Sequence, residues 1–247
     1  MTWPWIVASA AAGLLAGPRI RVSVFRRSVE AGEPLRHGCQ ACDREIAPAG
    51  RRWRSLLPVT GRCPACRARI GPAAWSVELA TGLALAVVAA RASSPWELAG
   101  LAWLLLFAVP LTFIDIAARR LPDALTVAAF LGTLGFLAAA AFTGGHPGQL
   151  ARAAIAAAAL GGFYLALFII RPSGMGLGDV KLAAGVGTAL GWLGWSALVA
   201  GTFLAFTLAA VYGIALLISG RATRKQQIPF GPFMIGGAFL VLLAWPL

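Results

Sequence analysis

Long apolar stretches alternate with short polar segments along most of the 247-residue chain. A helix that crosses a bilayer needs about 20 apolar residues, with a lower limit near 17. The pattern predicts an all-α integral membrane protein, a polytopic bundle of about eight transmembrane helices, or seven if the short, glycine-rich sixth stretch is re-entrant. The predicted spans are 1–17, 73–90, 98–114, 124–142, 150–170, 180–195, 196–218 and 231–247.

The composition supports this class. Hydrophobic residues make up 59% of the chain, charged residues only 12%, and the mean hydropathy is +0.79. A soluble globular domain carries about a quarter charged residues. So few polar groups could not cover the core of a soluble enzyme of this length, and the apolar content excludes a disordered chain.

Basic residues concentrate in one polar segment, 18–72, which holds 12 of the 21 Lys and Arg residues. A net charge of +12 often indicates a nucleic-acid partner. Here the basic segment lies directly beside apolar stretches, as is typical of a cytoplasmic loop in a membrane protein. We therefore predict membrane lipid as a partner and no nucleic-acid partner.

Alternation of the polar segments across the membrane extends this prediction. With eight spans, 19 of the 21 basic residues fall on one side. Because Lys and Arg favour the cytoplasmic side, we predict a multi-pass protein of the inner (plasma) membrane with its N-terminus outside. This gives a first transmembrane helix at 1–17, a cytoplasmic loop domain at 18–72 and a transmembrane domain at 73–247. The cytoplasmic segments would be 18–72, 115–123, 171–181 and 219–230.

All four cysteines lie in the basic segment, as Cys39-x-x-Cys42 and, after 20 further residues, Cys63-x-x-Cys66. Two pairs of this spacing supply four thiolates for a tetrahedral Zn²⁺ site of the zinc-ribbon kind. Two disulfides or unliganded thiols are alternatives, but a reducing cytoplasm disfavours disulfides. We predict a structural zinc ion in a small zinc-ribbon-like insertion, with no open coordination position for catalysis.

Two acidic residues stand at the predicted cytoplasmic ends of apolar spans. Asp115 follows the third stretch, and Asp179 precedes the sixth. Ionisable groups in or beside membrane segments are costly and are functional candidates. Two carboxylates held close together cannot both ionise easily, so one can activate a water while the protonated one polarises a carbonyl. This is the chemistry of an aspartic protease. The alternative for Asp115 is a helix-end charge beside Arg119.

Two further acids receive different interpretations. Asp123 follows Leu121-Pro122, where a helix can begin, and a carboxylate is favoured in the first turn of a helix. We rate this structural role above a catalytic one. Glu78 lies well inside the second predicted span, and its role stays open between pairing with a basic residue and orienting the site.

Three glycines precede Asp179 at alternate positions, Gly174, Gly176 and Gly178. If this stretch is extended, all three face one side and leave bare backbone that could pair with a substrate strand. We therefore expect these glycines to bind substrate. The alternative is a flexible turn between two helices.

Four segments together resemble bacterial type IV prepilin leader peptidases, integral-membrane aspartic proteases of the GxGD type. FIDIAARRLPD (113–123) resembles the first aspartate motif of that family, and GMGLGDVK (174–181) resembles the second. QIPFGPFMIGG (227–237) is similar to the final cytoplasmic loop and last span. The two Cys-x-x-Cys pairs, followed by WSVELATG (75–82), resemble the metal-binding N-terminal domain and the span after it.

The resemblance implies a function and assigns residues to it. Asp115 and Asp179 match the catalytic pair, and the four cysteines match the metal-binding set. Members remove a short basic leader from prepilins or pseudopilins of type IV pilus and type II secretion systems, at the cytoplasmic membrane face. Many also N-methylate the new N-terminus, with S-adenosylmethionine as the cofactor.

Two other functions compete with this hypothesis. A polytopic transporter or proton-coupled channel would use the membrane aspartates as relays. A membrane-anchored zinc module would bind a partner without catalysis. Acids grouped at one face of the membrane, rather than spread through its depth, favour the peptidase.

Overall fold

The structure is a computed structural model that describes residues 3–30, 32–47, 57, 60–172, 174–220 and 228–244. Much of the predicted cytoplasmic segment 219–230, with its three basic residues, lies outside the described residues. The described part of the chain contains eight α-helices and, apart from two isolated β-bridges, no extended pairing. The helices are α1 (Trp3–Arg27), α2 (Ser76–Arg91), α3 (Pro95–Ala118), α4 (Asp123–Gly144), α5 (Pro147–Ile170), α6 (Leu177–Leu193), α7 (Trp195–Ile218) and α8 (Gly231–Ala244).

Four of the described helices, α3, α4, α5 and α7, are long and apolar enough to cross a membrane. Their mean hydropathy lies between 2.0 and 2.3, and many of their large apolar side chains are exposed, as expected for a surface that faces lipid. The predicted all-α membrane class is therefore confirmed. Helix α6 has 17 residues and α8 has 14, so the predicted total of about eight spans stays a prediction.

The first helix is longer than the predicted span. Residues 1–17 were expected to form it, but α1 continues through Arg27, with Pro18 inside it. The segment between α1 and α2 that contains the four cysteines, 28–72, is called the cysteine region. Val22 and Phe25 of α1 are buried against Cys39, Cys63 and other residues of this region. The boundary predicted at 17 and 18 therefore falls inside one continuous helix, because the second half of that helix carries the surface on which the cysteine region packs.

Among helices that are consecutive in the chain, the most extensive contacts are those of α1 with α2, α3 with α4, α5 with α6, and α7 with α8. Helices α3, α6 and α8 also contact each other, which places them at the centre of the bundle. The largest buried cluster joins side chains from α1 and from all helices between α3 and α8. The two aspartates of interest lie on the central helices α3 and α6.

Small residues allow the close approach of α5 and α6. A Cβ atom added at Gly187 would lie 2.8 Å from the Ala156 carbonyl oxygen and 3.0 Å from the Ala157 Cα. A Cβ at Gly191 would lie 2.3 Å from the Ala156 Cβ. Because helix association in lipid depends on such backbone contact, the glycines fix the distance between these two helices.

Glu78 forms a buried ion pair with Arg21, which settles the role left open by the sequence. The Arg21 Nε and Nη2 atoms donate to the two carboxylate oxygens at 3.0 and 2.6 Å, and both side chains are almost fully buried. Arg21 also donates to the carbonyls of Pro72 and Ala73, at 2.8 and 3.2 Å. The pair therefore joins α1, α2 and the segment between the cysteines and α2.

We expect Gly187→Ala to destabilise the protein, although alanine is ordinarily a better helix former than glycine. The added methyl group would clash with backbone atoms of α5, which costs about 1–3 kcal/mol in a well-packed core. Thermal unfolding of the purified protein in detergent measures the effect. Gly162→Ala is the matched control, because that glycine lies within α5 with open space around it. Equal melting temperatures for the two variants would contradict the packing argument.

Candidate active site and metal site

The structure brings the two predicted aspartates to one cavity. Asp115 lies in the last turn of α3 and Asp179 in the first turn of α6, and both are buried. They line a cavity of about 320 Å³ where the connections between helices meet. The other lining residues are Arg119, Arg120, Leu121, Pro172, Gly174, Met175, Gly176, Leu177, Gly178, Ile228, Pro229 and Phe230.

Each carboxylate is held by one backbone amide at the start of a helix. The amide of Gly231, the first residue of α8, donates to Oδ2 of Asp115 at 3.0 Å. The amide of Gly176, just before α6, donates to Oδ2 of Asp179 at 3.0 Å. Helix N-termini suit carboxylates because their amides are not used within the helix. This leaves Oδ1 of each aspartate for water or substrate.

The Oδ1 atom of Asp179 has an unusual environment. It is buried and has no hydrogen-bond partner among the described residues. Buried polar atoms are almost always hydrogen-bonded, and an unpaired one costs about 1–3 kcal/mol. An unpaired carboxylate oxygen at a polar cavity is therefore the mark of a group that binds water or a ligand there.

The glycine-rich segment does not have the conformation that was expected. An extended stretch across Gly174, Gly176 and Gly178 is wrong, because α6 begins at Leu177 and Gly178 already lies in its first turn. Gly176, which immediately precedes α6, has an extended backbone with φ −91° and ψ 155°. A Cβ added at Gly178 would lie 2.7 Å from the Cβ of Leu121. Gly178 therefore lets α6 approach the connection between α3 and α4, and so brings Asp179 toward Asp115.

The other acidic candidates have structural partners. Asp123 begins α4, as its position after a proline indicated, and forms an exposed ion pair with Lys181 at 2.7 Å. Glu78 is paired with Arg21 away from the cavity. Asp115 accepts a hydrogen bond from Gly231, and within the described residues it forms no ion pair with Arg119. The helix-end alternative for Asp115 therefore lacks its expected contact.

The four cysteines form a second cluster, apart from the aspartates. Each Cys-x-x-Cys pair lies in a tight turn, closed by an isolated β-bridge, Gly38 with Glu45 in the first turn and Arg62 with Arg69 in the second. In each turn the amide of the first cysteine donates to the carbonyl of the residue five positions later, at 2.9 Å. The two motifs therefore have the same turn conformation, and their four sulfur atoms lie together.

The distances between the sulfur atoms fit a tetrahedral metal site. All four Sγ atoms lie within 4.8 Å of one another. Cys39 is 3.7 Å from Cys66 and Cys42 is 3.8 Å from Cys63, too far for disulfides, and all four are free. A tetrahedron with Zn–S bonds of about 2.3 Å has edges of about 3.8 Å. The cluster could therefore bind a metal ion such as zinc.

The backbone also prepares one of these thiols for coordination. Hydrogen bonds from the backbone amides of Cys66 and Ala65 lower the pKa of the Cys63 thiol, while the neighbouring Cys42 sulfur raises the pKa of the Cys66 thiol. The thiolate is the form that binds metal, so a lowered pKa favours coordination at neutral pH.

Two features beside the aspartate cavity were not identified from the sequence. The amide that holds Asp115 comes from Gly231, 116 residues later, and a backbone donor leaves no residue-type signal. The second is Tyr164 of α5, a fully buried side chain in an otherwise apolar run, whose hydroxyl has no partner in the described part of the chain. A lone polar aromatic residue among apolar neighbours was the one available signal for Tyr164.

Comparisons with known proteins identify the family of the chain. The type IV leader peptidase family matches residues 99–214, which contain both aspartates. The prepilin leader peptidase/N-methyltransferase of Aeromonas salmonicida is 36% identical over 194 residues, covering 76% of this chain and 64% of the relative. The protein of the same name from Bacillus subtilis is 30% identical over 215 residues, covering 84% of this chain and 81% of the relative.

A third relative of that name, from Stutzerimonas stutzeri, is 29% identical over 217 residues, covering 83% of this chain and 70% of the relative. No solved structure matches the chain. The chain therefore belongs to the type IV leader peptidase family, and it matches just under two thirds of the length of its Aeromonas relatives.

We expect Gly178→Ala to destabilise the cavity end of the bundle. Its methyl group would meet Leu121, and overpacking of this kind costs about 1–3 kcal/mol. The melting temperature in detergent should fall relative to Gly174→Ala, whose added atom would have no neighbour closer than 3.5 Å. If both variants melt together, close packing is not the reason for glycine at this position.

Proposed function

We propose that this protein is a membrane aspartic endopeptidase that removes the short basic leader from type IV prepilins or pseudopilins. The observation that carries the proposal is that two buried aspartates, Asp115 and Asp179, line one cavity. In each of them a backbone amide bonds Oδ2 and leaves Oδ1 without a backbone donor in the described part of the chain. The relatives are named as prepilin leader peptidases, which supports this substrate class for the chain.

The chemistry follows from two carboxyl groups that share one proton. The ionised carboxylate removes a proton from a water molecule, whose oxygen attacks the carbonyl carbon of the scissile peptide bond. The protonated carboxyl group donates its hydrogen bond, and then its proton, to the carbonyl oxygen. Collapse of the tetrahedral intermediate breaks the C–N bond. The departing amine takes up a proton from the carboxyl group that acted as base, and one hydroxyl of the intermediate returns its proton to the other carboxylate as the new carbonyl forms.

The glycines beside Asp179 are proposed to contact the substrate. Gly174, Gly176 and Gly178 all line the cavity, and the absence of their side chains leaves room for a peptide backbone. Because α6 begins at Leu177, the substrate would contact the turn before α6 and the first turn of α6, and it would not pair with an extended strand of the enzyme.

The cavity is proposed to open at the cytoplasmic face, with the N-terminus outside. Arg119 and Arg120 line the cavity, and the cysteine region with its many arginines connects to the same end of the bundle through Arg120, which donates to the Glu30 carbonyl at 2.6 Å. An excess of basic residues is typical of the cytoplasmic side.

No observation favours the transporter alternative. A proton relay needs ionisable groups along a path through the membrane. Glu97, a buried acid at the other end of α3, accepts hydrogen bonds from the Trp192 indole at 2.9 Å and from the Ser93 amide and hydroxyl. These bonds fix Glu97 as a structural group that joins the start of α3 to the end of α6.

We expect Asp115→Asn and Asp179→Asn each to lower the rate of leader cleavage by at least about 10³-fold, because removing one member of a catalytic unit costs several orders of magnitude. The test is co-expression with a prepilin, followed by mass measurement of the pilin N-terminus. Asp123→Asn is the matched control, since it removes an exposed carboxylate from the same end of the bundle. Normal processing by either cavity variant, at wild-type protein levels, would exclude the aspartate pair as the catalytic centre.

We further propose that Cys39, Cys42, Cys63 and Cys66 hold a structural zinc ion. Four protein ligands complete a tetrahedron, so zinc would have no position for water and would act in folding alone. Two of the four cysteines, Cys39 and Cys63, are buried among Val22, Phe25 and other apolar side chains, which agrees with a structural role.

The purified protein is therefore expected to carry one zinc ion per chain. Cys63→Ser should remove most of the zinc and make the 28–72 region sensitive to limited proteolysis, because a structural metal supplies folding free energy. Elemental analysis and mass mapping of the fragments measure both effects, and Asp179→Asn should retain the metal. Wild-type protein that is protease-resistant without any bound metal would contradict the proposal.

The second activity in the relatives' name, N-methylation, would need S-adenosylmethionine as methyl donor. The two described cavities beside the cysteine region contain Arg36 and Arg69 and no carboxylate. This lining does not fit a ligand with a sulfonium cation and ribose hydroxyls, which carboxylates would bind. The mass of the processed N-terminus also reports whether a methyl group has been added.

A further inference from the structure

Tyr164 lies in the core of the bundle with a hydroxyl group that the fold does not use. Its side chain has no exposed surface, and its oxygen has no hydrogen-bond partner in the described part of the chain. Phenylalanine would fill the same space without the cost of about 1–3 kcal/mol for an unpaired buried polar group. The hydroxyl group is therefore a cost to stability that calls for a functional explanation.

The packing of α5 against α6 places this hydroxyl at the level of Asp179. The two helices are antiparallel, with Gly187 against Ala156 at one level, and Gly161 against Val180 two turns nearer the cavity. Tyr164 follows Gly161 by three residues and Asp179 precedes Val180 by one, so both lie within the next helical turn.

Aromatic neighbours fix the direction of the Tyr164 ring. It stacks on Phe206 with the centroids 5.9 Å apart, and it contacts Phe230 at 5.7 Å. Phe230 in turn lines the cavity that contains Asp115 and Asp179. The ring is thus held beside the active-site cavity by residues of α7 and of the segment before α8, independently of its hydroxyl group.

Two buried polar atoms without partners, the Tyr164 hydroxyl and Oδ1 of Asp179, therefore occur at one level of neighbouring helices. One is a donor and the other an acceptor, so a single water molecule that accepts from the hydroxyl and donates to the carboxylate satisfies both. Asp179 lines the polar cavity, and Phe230 lies between that cavity and the Tyr164 ring, so the cavity is the source of such a water.

We infer that Tyr164 is a positioning residue of the active site, whose hydroxyl donates to a bound water that in turn donates to Oδ1 of Asp179. This rests on the proposed peptidase function. The bond would orient the Asp179 carboxylate, and the water that it binds, toward the scissile carbonyl. Because Tyr164 acts through Asp179, its removal should slow the chemical step and leave substrate binding unchanged.

The test is Tyr164→Phe, which removes one oxygen atom and keeps the ring. We expect kcat for cleavage of a purified prepilin in detergent to fall at least about tenfold, as for other single hydrogen bonds aimed at a reacting centre. KM should stay within about twofold, and the melting temperature should be unchanged or higher, because the unpaired hydroxyl costs stability. Tyr212→Phe is the matched control, since that tyrosine is exposed on α7 beside Phe233.

The outcomes separate this inference from the proposed function. If Tyr164→Phe keeps wild-type kcat while Asp115→Asn and Asp179→Asn are inactive, the positioning role is overturned and the peptidase stands. A fall in kcat that matches a loss of folded protein also overturns it, because that result describes a structural residue. A wild-type protein that does not cleave prepilin overturns both.

Discussion

The structure depends on how two carboxylates are kept inside an apolar helical bundle. A buried carboxylate is tolerated only when donors replace the water it has lost. Here the donors are the amides of Gly176 and Gly231, which belong to the starts of α6 and α8. Because helix starts always leave amides unused, the fold provides these donors without further polar side chains in the membrane. The same arrangement leaves one oxygen of each aspartate available to the cavity.

This arrangement works only if three helices meet closely. Gly231 lies so near Asp115 that a Cβ atom there would come within 2.9 Å of the carboxylate, and Gly178 has a comparable contact with Leu121. In lipid, helices gain little from burying apolar surface, so contact between backbones has to hold them together. The role of glycine at these contacts is therefore to allow the close packing that sets the positions of the two aspartates, and not to make the backbone flexible.

The sequence was informative where chemistry is carried by residue type. The spacing of the cysteines predicted their convergence, and the position of Asp115 and Asp179 at the ends of apolar stretches indicated a shared site. It was misleading at 174–178, because alternate glycines suggest a strand, whereas packing against Leu121 requires the start of a helix. The partners of Glu78 and Asp115, 57 and 116 residues away, depend on tertiary contacts that no local pattern contains.

The continuous helix α1 has a mechanical consequence. Its C-terminal half carries the cysteine region, while Arg21 is locked to Glu78 of α2 and to the carbonyls of Pro72 and Ala73. Arg26 adds a bond to the Ala47 carbonyl at 2.7 Å. The described part of the cysteine region and the segment before α2 are thus held to α1 by the hydrogen bonds of Arg21 and Arg26. The position of the cysteine region relative to the bundle is therefore set by α1, on which both its buried side chains and the Arg26 hydrogen bond depend.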